Sequence, residues 1–375
     1  MQNYAKIKVL YTGRRGEFSN STGSGIPRYM YEIFRNVKRY KSIDLQKIEY
    51  TTNLPILSRK FPYINGLLFG FRSHFDNFND YDILHNLDPS NLLWYNFKKH
   101  NIVVVSTIHD LVPVFYRRLI VVPNVGFKDI KQIFVKASQM VSCAITSFYL
   151  KQALKSDFII VNSSQTKKEV IKFGYDPKRI FVVNLGVEKT YLKPPILRNP
   201  EATFKVGYLG GLGYKKNISF AIKAFRKIKT REIKLEIWGN KTIESDILLK
   251  EIGKDDRITL MGFAPEKNLI ELLDSFDVFV FPSLHEGFGL PILEAQARGV
   301  PVIIYKNARI PEEITRYCIK AKDETHMAKL IQTIRNKGYN KKMKRRAMKY
   351  ARSFTWEKTA GVSVKIYKKI WEDID

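Results

Sequence analysis

The segment Val278–Ala295 reads VFVFPSLHEGFGLPILEA. Its first four residues are a continuous apolar run, the pattern of a short strand covered on both faces, and Pro282-Ser283 ends that run in a turn. Glu286-Gly287-Phe288-Gly289 then leads into a second apolar stretch that predicts a helix, with Pro291 at its first position. A buried strand, a Gly-rich turn and a helix in that order are the repeating unit of a parallel α/β sheet. The turn also has chemistry. Glycines let a backbone approach a ligand closely, and a helix start presents N–H groups and a partial positive charge. Two carboxylates, Glu286 and Glu294, bracket this anion cradle, and a carboxylate accepts from two vicinal hydroxyls at once. Glu294, read in the first turn of the helix, favours that turn electrostatically with or without a ligand.

Working outward, the same alternation fills both halves of the chain. Phe204–Leu209, Ile233–Trp238, Ile258–Gly262 and Val302–Tyr305 read as further strands, each followed by a helix-length segment. Lys216 to Ile228 predicts a helix with Ile218, Ile222, Phe225 and Ile228 on one face. In the first half Ile7–Tyr11, Ile83-Leu84, Ile102–Ser106, Phe158–Val161 and Ile180–Val183 are strand-like. Thr22–Gly25 reads as a loop before a helix from Ile26 to Tyr40, and further helices are expected over Ile130–Lys155 and Ser164–Phe173. Asn184–Thr203 has a proline pair and no periodicity, the mark of a linker. The expected organisation is an N-terminal domain over 1–190, a linker over 191–203, a second domain over 204–355 and a C-terminal helix over 356–375. Both domains are Rossmann-like, neither carries a dinucleotide G-x-G-x-x-G, and ligands of such sheets sit at the carboxyl ends of the strands. A cleft enzyme with its ligand between the domains is the expectation.

With 375 residues the chain has room for two cores. No apolar run approaches the roughly 20 residues of a membrane helix, and the start offers no signal-peptide pattern. Its two cysteines lack C-x-x-C spacing, as expected of buried thiols in a reducing compartment. The net charge of +28 is unusual and is shared by both halves. It favours anionic partners, among them nucleotides and anionic lipid headgroups, against the alternative of compositional drift. A nucleic-acid binder is the rival that this charge raises, but no binding module is recognisable and the aromatics are not interleaved with basic residues as in RNA-binding sheets.

Three more segments end strands in candidate sites. Tyr208–Asn217 (YLGGLGYKKN) joins a Gly-rich turn, a helix start and two lysines, Lys215 and Lys216, which together suit a phosphate. Ser106–Pro113 (STIHDLVP) puts His109 and Asp110 just past a strand, and Gly23–Tyr29 (GSGIPRY) is a second Gly-containing helix start.

Taken together, these segments resemble glycosyltransferase family 4, the retaining GT-B glycosyltransferases with an E-x7-E motif. The resemblance runs from about Gly13 to the C-terminal helix. It implies two Rossmann-like domains facing an interdomain cleft, with the C-terminal helix crossing back to the N-terminal domain. It implies that Glu286 lies by the transferred sugar and Glu294 by the donor ribose, with the backbone of Gly287, Phe288, Gly289 and Leu290 facing sugar and phosphate. Lys216 corresponds to the lysine that holds the donor diphosphate. Many members have Arg directly after the first glycine; here that position is Gly211, and Lys215 is expected to compensate. His109 corresponds to the histidine near the donor sugar and diphosphate, with Asp110 orienting its imidazole or the loop. Gly25 and Arg28 correspond to a loop under the donor phosphates.

The resemblance implies a hexosyltransferase that uses an NDP-sugar as co-substrate, GDP-mannose in preference to UDP-glucose, and no cofactor. The sequence is read as having no D-x-D and no convincing His/Cys cluster, so no metal is expected. Other GT-B enzymes, an epimerase or a phosphorylase-like protein, are the nearest alternatives; a pyridoxal-lysine context is missing. For the acceptor, Phe115–Val135 sets Arg117-Arg118 beside an apolar patch, and Lys337–Arg352 is a basic run. Both suit a glycan or lipid-linked acceptor and peripheral contact with an anionic membrane from the cytoplasmic side. No nucleic-acid partner is expected.

Overall fold

The computed structural model describes residues 6–14, 18, 25–50, 78–89, 102–116, 130–196, 203–240 and 244–373. The loop expected over Thr22–Gly25, the Phe115–Val135 segment and the end of the linker fall largely outside these residues. The chain divides into two units: Met1–Arg117 with Ala137–Gly186 and Trp356–Asp375, and Arg118–Lys136 with Val187–Thr355.

The first unit carries six strands, β1 (Ile7–Arg14), β2 (Ile43–Tyr50), β3 (Ile83–Asn86), β4 (Val103–Ile108), β5 (Phe158–Val161) and β6 (Ile180–Val182). They form one sheet in the order β2-β1-β3-β4-β5-β6, and every pair is parallel. Parallel neighbours need crossovers, and helices Gly25–Val37, Ile130–Ala153 and Ser164–Lys172 supply three of them. Because helices cover such a sheet on both faces, β3 is buried at all four residues. The helix Trp356–Glu372 belongs to this unit. It packs on the Gly25–Val37 helix and on β1, burying Trp356, Ala360, Val364, Tyr367 and Ile370 along one stripe. The expected return of the C-terminal helix to the N-terminal domain is therefore seen.

The second unit repeats the plan with β7 (Phe204–Leu209), β8 (Ile233–Trp238), β9 (Ile258–Gly262), β10 (Val278–Phe281), β11 (Val302–Tyr305) and β12 (Ile319–Ala321), in the order β12-β11-β10-β7-β8-β9 and again all parallel. The strand order reverses between β1 and β3 in the first unit and between β7 and β10 in the second. At such a reversal the connecting segments leave in opposite directions, and a crevice opens past the carboxyl ends of the two central strands.

Three local expectations need correction. The helix after β10 runs Leu290–Ala297, so Pro291 is its second residue and Glu294 its fifth, beyond the first turn. The segment after β7 does not enter a helix at Lys216. It makes a 3-10 turn over Tyr214–Lys216, and the helix begins at Ile218 because Asn217 is left-handed, with φ 52°. The helix expected over Ile26–Tyr40 spans Gly25–Val37.

Candidate functional site

In the second unit the reversal of strand order selects the ends of β7 and β10, and the two motifs read from sequence stand at those ends. The YLGGLGYKKN segment leaves β7, and PSLHEGFG leaves β10. The two loops are stitched together: Leu284 N donates to Lys215 O at 2.8 Å, and Asn217 Nδ2 donates to Pro282 O at 3.2 Å. A second brace comes from beyond β11, where Arg309 N donates to Leu284 O and Glu286 N to Arg309 O, at 2.8 and 2.9 Å.

This frame brings Lys216 onto Glu286. Lys216 Nζ donates to Glu286 Oε1 at 2.5 Å, and Ser283 Oγ donates to the same oxygen at 2.6 Å. The Lys216 ammonium also lies 5.5 Å from the centre of the Phe281 ring. Glu286 is buried, which by itself raises its pKa; the charges of Lys216 and Lys215 and the hydrogen bonds from Lys216 and Ser283 outweigh burial and hold it below the ordinary carboxylate value. Glu286 is thus an ionised carboxylate. Tyr208 beneath it is a neutral phenol, its pKa pushed well up by burial and then by the Glu286 charge, and its hydroxyl donates to Gly211 O at 2.6 Å.

Two helix N-termini follow these strand ends. The helices Ile218–Arg226 and Leu290–Ala297 begin after Asn217 and Gly289, both left-handed, and neither start is capped by a side-chain hydrogen bond. Each start carries the partial positive charge of a helix N-terminus. Gly289 at φ 106° suits only glycine. The Gly287–Leu290 cradle is buried, and Phe288 packs edge-on against Phe354 at 6.4 Å, so the cradle offers backbone and not the Phe288 ring. Glu294 is buried in the same helix, 3% exposed.

The remaining candidates lie in the first unit. His109, half-buried just past β4, points Nε2 at Leu87 O, 3.0 Å away. A carbonyl only accepts, so Nε2 carries the proton. Burial depresses the imidazole's pKa despite the charges of Asp88 and Asp110, and the ring is neutral with Nδ1 as its acceptor. Asp110 Oδ1 accepts from Val112 N at 3.1 Å, a contact with the loop backbone, which is one of the two roles expected for it. Arg28 is buried on the Gly25–Val37 helix. Gly25 opens that helix, and among the described residues a Cβ there would meet nothing within 4 Å.

Sequence reasoning assigned no role to Ser283, although it lay inside the quoted motif, nor to Asn217, whose left-handed backbone and side-chain bond join the two loops. A D-x-D spacing does occur at Asp80–Asp82, before β3. Asp82 Oδ2 accepts from Lys8 N at 2.7 Å at the amino end of the sheet, opposite to the strand ends that form the crevice. Among the described residues no group of three His, Cys, Asp or Glu side chains is placed to hold a metal ion, and no helix is long and apolar enough to cross a membrane.

Two family models match the chain: Glycosyltransferase Family 4 over residues 31–191 and Glycosyl transferases group 1 over 192–354. They abut within six residues of the boundary between the two units. A relative from Escherichia coli, O-antigen chain mannosyltransferase B, is 27% identical over 238 residues, 58% of this chain and 62% of that protein. The chain thus spans less than two thirds of this relative's length. Among solved structures, sucrose-phosphate synthase from Thermosynechococcus elongatus is similar with a TM-score of 0.74 at 18% identity, covering 98% of this chain and 100% of that one. The Anabaena protein Alr3699/HepE, solved with UDP and glucose, is similar with a TM-score of 0.64 at 15% identity over 96% of this chain and 99% of that one. Both share the fold.

Proposed function

The chain belongs to the GT-B glycosyltransferases related to the family 4 and group 1 models, and from that premise we propose that it moves a hexose from an NDP-sugar to a glycan, lipid-linked or cell-envelope acceptor with retention of configuration. The observation that carries this reading is the 2.5 Å contact between Lys216 Nζ and Glu286 Oε1. A group assigned to the donor diphosphate and a group assigned to the sugar must lie within one glycosyl–phosphate linkage of each other, and these two do.

When the glycosyl–oxygen bond lengthens, negative charge grows on the leaving diphosphate and positive charge on the sugar ring. Lys216 and the two uncapped helix starts are fixed positive groups for the first; ionised Glu286 is a fixed negative group for the second. Lys216 serves both, since moving toward the diphosphate releases part of the Glu286 charge to the ring. Glu286 acts as a nucleophile or as electrostatic support for attack from the leaving-group face. Glu294 is assigned to the ribose, and His109, neutral and with Nδ1 accepting, to the donor sugar hydroxyls.

Mannose is favoured over glucose, in keeping with the mannosyltransferase relative, and the reaction is proposed to run without a metal. We also place the enzyme on the cytoplasmic face of a membrane. The helix Lys341–Ala351 contributes exposed Lys341, Lys342, Lys344, Arg345, Arg346 and Lys349 and no acidic residue, a surface that suits anionic headgroups.

The test is a panel of GDP- and UDP-sugars, read as donor hydrolysis or transfer and as thermal stabilisation, with and without EDTA. GDP-mannose should give the largest turnover, and millimolar NDP should raise Tm by mass action. Activity abolished by EDTA and restored by Mn²⁺ would overturn metal independence. Stabilisation by oligonucleotides alone, steeply reduced by salt, would overturn the transferase reading. Flotation with anionic liposomes tests the membrane placement, and no binding would favour a soluble acceptor.

A further inference from the structure

The C-terminal helix reaches the environment of His109 through a buried string of hydrogen bonds. Tyr11 OH lies 2.8 Å from Tyr367 OH, Tyr367 OH 2.6 Å from His85 Nδ1, His85 Nε2 2.8 Å from Thr107 Oγ1, and Thr107 Oγ1 3.1 Å from Tyr29 OH. All five side chains are buried, none more than 1% exposed. They come from five elements of the first unit: β1, the C-terminal helix, β3, β4 and the Gly25–Val37 helix. A neutral imidazole has one N–H, so of the hydroxyls on its two sides one must donate and the other accept. The histidine therefore couples the directions of the two bonds beside it. Filling this space with apolar side chains would avoid the desolvation of five polar groups; what the string supplies in return is orientation.

Three of its members lie beside His109 or beside a group that it touches. Thr107 precedes His109 by two residues at the end of β4. His85 precedes Leu87 by two residues at the end of β3, and Leu87 O accepts the His109 Nε2 proton at 3.0 Å. The Tyr29 ring meets the His109 ring edge-on, 5.0 Å between centres and 79° between planes. Trp356, the first residue of the C-terminal helix, has its ring centre 6.4 Å from that of Tyr29.

We propose that Tyr367 is a positioning residue for His109: through His85 and Thr107 its hydroxyl holds Tyr29 and the Leu87 carbonyl where they fix the tautomer and ring plane of that imidazole. The C-terminal helix is by this account part of the donor machinery of the first unit and not only its cover. The inference rests on His109 serving the donor, as proposed above, but its structural half can be tested without turnover.

The experiment compares the wild type, Tyr367→Phe and Ile370→Val by ¹⁵N spectra of the histidine rings and by transfer kinetics. Ile370 is buried on the same helix outside the string, so its truncation reports what loosening the helix does alone. In the wild type His109 should show a single tautomer protonated at Nε2. In Tyr367→Phe its nitrogen signals should move toward the average of the two tautomers, and kcat should fall by about five-fold or more with donor KM little changed. Ile370→Val should lower Tm without either effect. Thr107→Val, similar in volume and β-branched, breaks the string one link nearer His109; it gives the same readout should Tyr367→Phe not fold. Unchanged His109 signals in a folded string variant would overturn the proposal. Loss of the tautomer with no transfer in the wild type would keep the positioning and overturn the function assigned to His109.

Discussion

Lys216 Nζ and Glu286 Oε1 meet at 2.5 Å, each carried past the end of one of two paired parallel strands, β7 and β10. Neither strand alone makes this contact. It arises because the sheet reverses its order between them, so that two loops from distant parts of the chain turn into one crevice. Both partners are largely buried, with side chains 18% and 12% exposed, so the attraction is screened much less than in a surface pair.

From this contact follows a pair of rate effects that do not multiply. Glu286→Gln should lower kcat by about 10² or more, as the loss of a transition-state contact does. Lys216→Ala should cost a similar factor and weaken donor binding besides. The double variant should be far less impaired than the product of the two, since each single change already breaks the shared interaction. Independent, multiplying effects would mean that the two residues act on separate steps.

Gly239, at the end of β8, is required for a steric reason. A Cβ there would stand 2.2 Å from Gly210 O and 2.8 Å from Leu212 Cδ2, both in the turn that leads to Lys215 and Lys216. A carbonyl in a tight turn cannot yield as a flexible side chain does. Gly239→Ala should therefore displace the loop proposed to hold the donor phosphates. The expected result is a stability loss of about 1–3 kcal/mol, as for other overpacked sites, together with a raised donor KM. Denaturant titration and donor kinetics on one preparation check both. A variant with normal KM would show that the loop tolerates the shift.

These residues also show what was legible in the sequence. The central strands were readable because burial on both faces makes them continuous apolar runs, and the donor motifs because glycines and charges interrupt those runs at fixed points. Two of the four edge strands, β2 and β12, were not, whereas the edge strands β6 and β9 were. β2 (IDLQKIEY) mixes charges into its alternation because one margin meets solvent, and β12 is three residues long. Asn217 was missed because a left-handed asparagine has no pattern of its own, and the helix was accordingly started too early. Nor could Tyr11, His85 and Tyr367 be grouped from sequence: separations of 74 and 282 residues become contacts only once the sheet and the final helix are assembled.

Arg298 closes the Leu290–Ala297 helix and ties it to the chain entering the second unit. Its guanidinium donates to Asp274 Oδ1 through Nε at 2.7 Å and to Asp274 Oδ2 through Nη2, and it reaches the carbonyls of Lys193 and Pro194 at 2.7 and 3.0 Å. The pair is almost fully buried, with side chains 1% and 3% exposed. Removing one partner leaves the other charged and unpaired in the interior. Arg298→Met should destabilise by about 3–5 kcal/mol, whereas Arg298→Met with Asp274→Leu should recover much of that loss. Thermal and urea denaturation of the wild type and the two variants decides it; equal losses in the single and double variants would place the cost in the carbonyl contacts instead.

The buried His85 makes stability depend on pH, and the sign can be worked out. Burial, with a smaller contribution from the nearby His109, lowers its pKa from 6.5 to about 3 in the folded protein. As pH falls below about 6.5 the unfolded chain takes up a proton on this ring. The folded protein does not until about pH 3, so across that window the unfolded state binds more protons and stability falls with pH. The slope for one such group approaches about 1.4 kcal/mol per pH unit. Glu286, held below its ordinary value, adds a loss of the same sign, but only under about pH 4.5, where the unfolded carboxylate begins to protonate. The region between pH 6.5 and 5 therefore belongs to histidine. Unfolding free energies from urea titrations at pH 7.5, 6 and 5 should decline in the wild type. His85→Gln, which cannot take up the proton, should be less stable at pH 7.5 and should show a shallower decline, with His109 supplying what slope is left. An equal slope in the two proteins would mean that His85 is not held neutral in the fold, and that the directions of the bonds on its two sides are not coupled through it.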